Sequence, residues 1–313
     1  MARRSSPKSG WRSPGRIALV VGVVLFLLLD AILIGYALAP SDAGEGEEPA
    51  PVPTFQIGNR SEADPEPEAT PAASPVVADP RFLVAVNESI GWRATPGSCP
   101  GGTAIIERTV DGGVTWLPTA TNGLDSRQVL SLTSGSASTA QVVARSGEAC
   151  DVDVFVSFTS GNFWGRYPDR ITEFSYIDPN SAGTLQLAGA SVDAPCEPRQ
   201  VQEAADSIAV ACDGAILERI GADTEWATLV VPGLLAIAPR GDGYVAAVTG
   251  AEGCAGLSIQ SIPQLTANAA AETLSCIAEA ATDQVTLTTA SDSIWAWAGD
   301  RVWVSADGGA SWA

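Results

Sequence analysis

Two eight-residue segments gather side chains that can hydrogen-bond to one another. They are Thr109-Val110-Asp111-Gly112-Gly113-Val114-Thr115-Trp116 and Ser305-Ala306-Asp307-Gly308-Gly309-Ala310-Ser311-Trp312. Both fit the pattern S/T-x-D-x-G-x-S/T-W. A short carboxylate at the third position can accept bonds from the N–H groups of its own turn. The glycine permits a left-handed backbone, the second hydroxyl reaches across the hairpin, and the tryptophan offers a broad face to a neighbouring element. This chemistry staples a turn and makes or breaks no covalent bond. The remaining inventory points the same way. The chain has no histidine and a single lysine, Lys8, so a Ser-His-Asp triad is excluded, and there is no GxSxG segment. Six cysteines, Cys99, Cys150, Cys196, Cys212, Cys254 and Cys276, form no CxxC pair and read as disulfides rather than zinc ligands. Asp151 and Asp153 alternate in CDVDV as calcium ligands can, but on so acidic a chain they read as a solvated edge. No metal, cofactor-binding or catalytic residue is predicted.

The elements that must hold these turns are β-strands. From Asp79 onward, short β-rich runs are separated by Gly, Asp, Ser and Pro clusters, and no stretch keeps a helical period. Each eight-residue segment follows a strand (TAIIERT, RVWVS), which follows another (SIGWRAT, SIWAWAG). Degenerate copies of this frame close at Trp164 and Trp226, and GYVAAVTGAEGCAGLSIQSI keeps the strand pair without the closing segment. The repeat is about 45 residues long. Inner strands are expected at FLVAV, VLSLT, QVQEA, LLAIA and QVTLT. Five repeats are recognisable, and Arg166–Pro198 is long enough for a sixth. The first repeat opens on its inner strand near Phe82 and the last reaches Ala313 just after its closing segment. The final repeat is therefore expected to lack an outer strand, which Val76 and Val77 could supply.

These segments resemble the Asp-box (BNR) repeats of sialidases and related β-propellers. The resemblance covers roughly residues 80–313 and implies an all-β propeller of four-stranded blades. Asp-boxes would lie between third and fourth strands, away from the binding face, with structural roles for Thr109, Asp111, Gly113, Thr115, Trp116, Ser305, Asp307, Gly309, Ser311 and Trp312. In that frame Cys99, Cys150 and Cys254 fall in or beside turns between second and third strands, and Cys212 ends a second strand. Cys99–Cys150, Cys196–Cys212 and Cys254–Cys276 are then the expected pairs. A sialidase needs an arginine triad and a tyrosine nucleophile paired with a glutamate. Beyond the hydrophobic run only Tyr167, Tyr176 and Tyr244 are present, and the family's Arg-Ile-Pro motif is missing, since Arg170-Ile171 is followed by Thr172.

The N-terminal part has a different character. Residues 1–16 carry Arg3, Arg4, Lys8, Arg12 and Arg16 and no acid, then residues 17–38 are apolar except for Asp30. Such a run is long enough to span a bilayer, and its basic flank would stay in the cytoplasm. A cleavable signal peptide is the alternative, since Ala37-Leu38-Ala39 has the small-x-small form. Asp30 either contacts a partner or is simply tolerated within the span. Residues 39–78 are rich in proline and acids and read as an extended stalk, leaving residues 79–313 as the propeller domain. From Pro40 onward 12 basic residues face 35 acidic ones. Phosphate contacts need Lys and Arg, so nucleic acid is excluded as a partner. The sequence thus predicts a single-pass cell-membrane protein with an extracellular propeller that binds a protein or glycan, or docks on basic loops of membrane proteins. A divergent sialidase-like glycoside hydrolase is the alternative.

Overall fold

The computed structural model describes residues 80–313 apart from 205, 222–224 and 267–268. The tail, the hydrophobic run with Asp30, the stalk and Val76-Val77 lie outside these residues. Among the described residues no helix is long and apolar enough to cross a membrane.

Among the described residues, twenty-two strands form six antiparallel sheets. Blade 1 has β1 (Phe82–Ala85), β2 (Gly91–Thr95), β3 (Ile105–Thr109) and β4 (Leu117–Pro118). Blade 2 has β5 (Ser126–Ser136), β6 (Thr139–Ser146), β7 (Asp151–Ser157) and β8 (Gly165–Arg166). Blade 3 follows a 3₁₀ helix, Pro168–Glu173, and has β9 (Ser175–Ile177), β10 (Thr184–Leu187) and β11 (Ala190–Asp193). Blade 4 comprises β12 (Gln200–Ala204), β13 (Ser207–Cys212), β14 (Ala215–Ile220) and β15 (Ala227–Val230). Blade 5 comprises β16 (Leu234–Arg240), β17 (Gly243–Val248), β18 (Leu257–Ile262) and β19 (Glu272–Ile277), and blade 6 β20 (Thr286–Ala290), β21 (Ser293–Ala298) and β22 (Arg301–Ser305). In every sheet consecutive strands pair. The first strands β1, β5, β9, β12, β16 and β20 each pack on the next, and β20 packs on β1, so the ring closes as a six-bladed propeller. The five expected inner strands are β1, β5, β12, β16 and β20, and the sixth blade lies within Arg166–Pro198.

The second strands show why these sequences make blades. All six residues of β17 and of β21 are buried. Side chains on a strand alternate between its two faces, and here both faces meet a neighbouring blade. In β21, Ile294, Ala296 and Ala298 join the core shared with blade 5, while Trp295 and Trp297 join the core shared with blade 1. In β17, Val245 and Ala247 face blade 6, whereas Tyr244, Ala246 and Val248 face blade 4. In β13, Ala209 and Ala211 pack in the core with blade 5, while Val210 and Cys212 pack with Leu185 and Leu187 of blade 3. A half-buried strand would alternate apolar with polar; these present apolar side chains to both faces.

Blades 3 and 6 have three strands each. In blade 6 the chain nevertheless turns back after Trp312. The Ala313 N–H donates to the Val304 carbonyl at 3.0 Å, and the Val304 N–H donates to the Ala313 carbonyl at 3.2 Å. This is the position that Leu117 holds opposite Arg108 in blade 1. An outer strand is thus started by Ala313, where the sequence pattern predicts none.

Candidate functional site

The turn between third and fourth strands is built alike in three blades. In blade 1, the Thr109 hydroxyl donates to Asp111 at 2.7 Å and accepts the Gly113 N–H at 3.1 Å. Asp111 accepts the Thr115 N–H at 2.9 Å and the Thr115 hydroxyl at 2.5 Å. In blade 6, Ser305 donates to Asp307 at 2.8 Å and accepts the Gly309 N–H at 2.8 Å, while Asp307 accepts from the Ser311 N–H at 2.9 Å and hydroxyl at 2.6 Å. Blade 2 has Ser157, Thr159, Gly161 and Phe163 at these places. The Ser157 hydroxyl accepts the Gly161 N–H at 2.9 Å and the Thr159 hydroxyl oxygen accepts the Phe163 N–H at 3.0 Å, so a neutral oxygen does the work of the carboxylate. The three glycines share a left-handed backbone, with φ of 84°, 85° and 97°. Hydrogen bonds from both residues of each pair hold the carboxyls of Asp111 and Asp307 at a pKa of about 2, and both side chains are exposed.

Each of these turns rests on the preceding blade. Gly113 lies against Trp295 and Val302 of blade 6, Gly161 against Thr119 and Trp92 of blade 1, and Gly309 against Leu274 of blade 5. The closing tryptophans do the same. Trp116 meets Trp295 edge-on at 6.4 Å, Trp164 meets Trp92 at 6.5 Å, and the Trp312 indole N–H donates to Ser275 at 2.9 Å. At the seam of blades 1 and 6, Arg93 bonds Glu107 at 2.7 Å and lies between Trp116 (4.5 Å) and Trp297 (4.8 Å).

Blade 5 lacks this turn, and a different carboxylate takes over. Glu218 on β14 of blade 4 accepts the Leu265 N–H at 2.7 Å from the turn after β18. Its other oxygen accepts the Tyr244 hydroxyl at 2.7 Å, and that hydroxyl lies 2.9 Å from the Ser207 hydroxyl. Glu218 and Tyr244 are each 1% exposed. Burial first, then the Glu218 carboxylate, pushes the Tyr244 hydroxyl far above the ordinary tyrosine range. Its proton therefore stays on the phenol and faces the carboxylate. This Tyr–Glu pair has the residue types of a sialidase nucleophile but no route for a sugar. Sequence reasoning does not find the trio, because Tyr244 lies on a different blade from Ser207 and Glu218. The only signal is an acid, Glu218, inside the apolar strand AILERI.

The other two tyrosines stand elsewhere. Tyr176 is buried against Val143, Val154 and Val156, and Tyr167 is 40% exposed beside Phe158. Arg170 lies in the 3₁₀ helix and binds Glu173.

All three expected cysteine pairs form, with Cα–Cα separations of 5.8 Å for Cys99–Cys150, 6.3 Å for Cys196–Cys212 and 5.7 Å for Cys254–Cys276. Antiparallel connectivity puts the turns with Asp111 and Asp307 at one end of the blades. The turns between second and third strands, with Cys99, Cys150 and Cys254, fall at the opposite end, and Cys212 ends β13 there. The two faces are thus held by different means, hydrogen-bonded turns on one and disulfides on the other.

On the disulfide face, an open cleft of about 540 Å³ is lined by Asp125, Glu148, Asp151 and Arg166 among others. Asp151 is exposed, as a solvated edge should be. Asp153 is not. It is 2% exposed, accepts a bond from Arg166 at 2.7 Å and is bonded by Ser146. Residues two apart on a strand share a face, so the two acids differ by position along β7: Asp151 stands at its exposed end, and Asp153 lies further in, covered by Arg166 and Ser146. No group of three or more Asp, Glu, Cys or His is placed to hold a metal ion among the described residues.

No family model and no curated protein matches this chain. Similar solved structures include YCF48 bound to a D1 peptide, 16% identical over 76% of this chain and 82% of that one, with a TM-score of 0.38. YCF48 from Cyanidioschyzon merolae is 15% identical over 78% and 86%, with a TM-score of 0.39. The α-L-arabinofuranosidase of Podospora anserina, in complex with cellotriose, is 9% identical over 74% and 87%, with a TM-score of 0.32. Likeness at this level carries nothing about function, and the fold stands on the strand order and ring closure of this chain.

Proposed function

We propose that this protein is a non-catalytic binding propeller, tethered outside the membrane, that engages a protein or glycan through its disulfide-stapled face. The observation that carries this reading is the burial of the Tyr244–Glu218 pair. It is the Tyr–Glu pair found among the described residues, and it serves as a rivet between blades 4 and 5. Two further features support it. The hydrogen-bonded turns of blades 1, 2 and 6 are used up in seating one blade on the next. On the other face, disulfides restrain loops around an acidic cleft, and restrained loops lose less entropy when a partner binds. In this reading residues 17–38 anchor the chain, residues 39–78 space it from the bilayer, and residues 79–313 bind.

Crosslinking in intact cells followed by mass spectrometry tests the proposal. The expected result is a recurrent partner crosslinked through loops of the disulfide face, lost on charge reversal at Asp125, Glu148 and Asp151. Robust turnover of a fluorogenic sialoside, or of a polysaccharide in a hydrolysis screen, would replace it with the glycoside hydrolase reading.

A further inference from the structure

Blades 1, 2, 4 and 5 fill a fourth strand position, and blade 3 leaves it empty although the chain is described without a break from Pro168 to Ala204. After β11 the chain does not turn back along the blade. It passes through Ala194-Pro195-Cys196-Glu197-Pro198-Arg199 into β12 of blade 4. There Cys196 is joined to Cys212, and the Arg199 N–H donates to the Ala211 carbonyl at 2.8 Å. Two prolines, which lack an N–H, and a disulfide to the next blade keep this segment from completing blade 3.

The edge left bare is regular. The Ala194 N–H donates to the Gly183 carbonyl at 2.8 Å, and in the same phase Val192 and Ala190 stand opposite Leu185 and Leu187 of β10. Bonding alternates along an antiparallel strand, so the N–H and C=O groups of Ser191 and Asp193 point outward. No described residue bonds them. An open edge is a template for another strand, and proteins commonly blunt it with a proline, a bulge or a cover. Elsewhere in the ring β4 carries Pro118, β19 pairs with a register shift and β22 is met by Ala313. By contrast, β11 has no proline and pairs without a shift.

The two sides of this edge differ. Val192 faces blade 4 and packs on the core that holds Leu185, Val210 and the half-buried Trp226. Ser191 and Asp193 point to the opposite side. Ser191 donates there to Gln186 at 3.0 Å, and Gln186 donates to Asp178 at 2.9 Å. Asp193 stands opposite Thr184, whose carbonyl accepts the Asp178 N–H at 2.9 Å. An added strand would set one side chain beside Val192 on the apolar side. Its neighbours in sequence would lie on the carboxylate side, where opposite charge is favoured. A second copy of the chain fits poorly, because 35 acidic residues face 12 basic ones from Pro40 onward.

We propose that the outer edge of blade 3 is a strand-addition site for an extended segment of a partner protein in which Lys or Arg alternates with a large apolar residue. Backbone bonds to Ser191 and Asp193 supply the affinity, and the alternation of side chains supplies the register. The site stands apart from the disulfide face proposed above and does not depend on it.

Binding of a fluorescein-labelled Lys-Val-Lys-Val-Lys-Val peptide to the full chain tests the site. Fluorescence anisotropy should report binding, and hydrogen exchange at residues 190–194 should slow when the peptide is added. Ser191→Pro removes an outward N–H and breaks no backbone bond to β10. It should keep the native melting temperature and weaken binding about tenfold, while Ser191→Ala should bind as the native chain does. Asp193→Lys should weaken binding of the basic peptide and favour a Glu-Val-Glu-Val-Glu-Val peptide. N-methylation of every peptide amide keeps the charge and should abolish binding. Equal binding of the methylated peptide, equal binding by Ser191→Pro, or no binding at millimolar peptide overturns the proposal. Exchange at residues 190–194 that slows with protein concentration alone also overturns it and assigns the edge to a second copy of the chain.

Discussion

The seam between blades 6 and 1 and the seam between blades 4 and 5 solve one problem in two ways. In both, the turn after a third strand must be fixed to the blade before it. At the first seam the carboxylate is Asp111, within the turn, exposed, with bonding partners two and four residues away. At the second it is Glu218, on the neighbouring blade, buried, reaching Leu265 across 47 residues of sequence. A local staple in water contributes little more than its own hydrogen bonds, because solvent can replace them. A buried staple leaves unpaired donors behind when it fails.

The largest expected effect tests whether packing rather than the turn carries the seams that have hydrogen-bonded turns. Trp164→Ala removes an indole that is 1% exposed and seated on Trp92, and should cost about 4 kcal/mol in chemical denaturation. Glu218→Ala strands the Leu265 N–H and the Tyr244 hydroxyl and should cost about 3 kcal/mol. A loss as small as that of a surface substitution would dissolve the contrast between the seams. Tyr244→Phe removes one donor from a carboxylate that keeps another, and should cost about 1.5 kcal/mol. Asp111→Asn should have the smallest effect, a slight drop in melting temperature at neutral pH.

The pH dependence separates the seams further. The Asp111 and Asp307 carboxyls fall from an ordinary 3.8 to about 2 on folding. A depressed carboxyl contributes stability that is complete above its unfolded value and is lost as pH falls from there through the folded one. The Tyr244 hydroxyl moves the other way from an ordinary 10.0, so its contribution is complete below about pH 10 and is lost as pH rises beyond that. Melting curves should show Asp111→Asn blunting the acid limb and Tyr244→Phe blunting the alkaline limb. Exchange of these two roles would break the comparison.

The same contrast explains which features are legible in the sequence. Hydrogen bonds between residues two to four apart leave a spacing pattern, and the turns at Asp111 and Asp307 are readable from it, as the five inner strands are from their apolar runs. In blade 2 the pattern is blurred, with Thr159 in place of Asp and Phe163 in place of Thr, yet the backbone bonds persist. Blade 3 has no such turn and shows in the sequence only as a gap of suitable length. Its short first strand, β9, and the 3₁₀ helix that precedes it leave no repeat to match. Glu218, Tyr244 and Ser207 leave no spacing pattern because Tyr244 reaches the other two only through ring assembly. Asp153 reads as solvated in the sequence because nothing near it announces Arg166 as its partner.

The second strands carry a further consequence, for how substitutions combine. Ile294 and Trp295 are adjacent in the chain but belong to separate cores. Changes at the two should add nearly independently in a double-mutant cycle. Trp295 and Trp116 lie far apart in sequence but share one contact, and should show a coupling energy. Epistasis in this protein would then follow the ring, linking distant segments blade to blade while leaving chain neighbours free to vary.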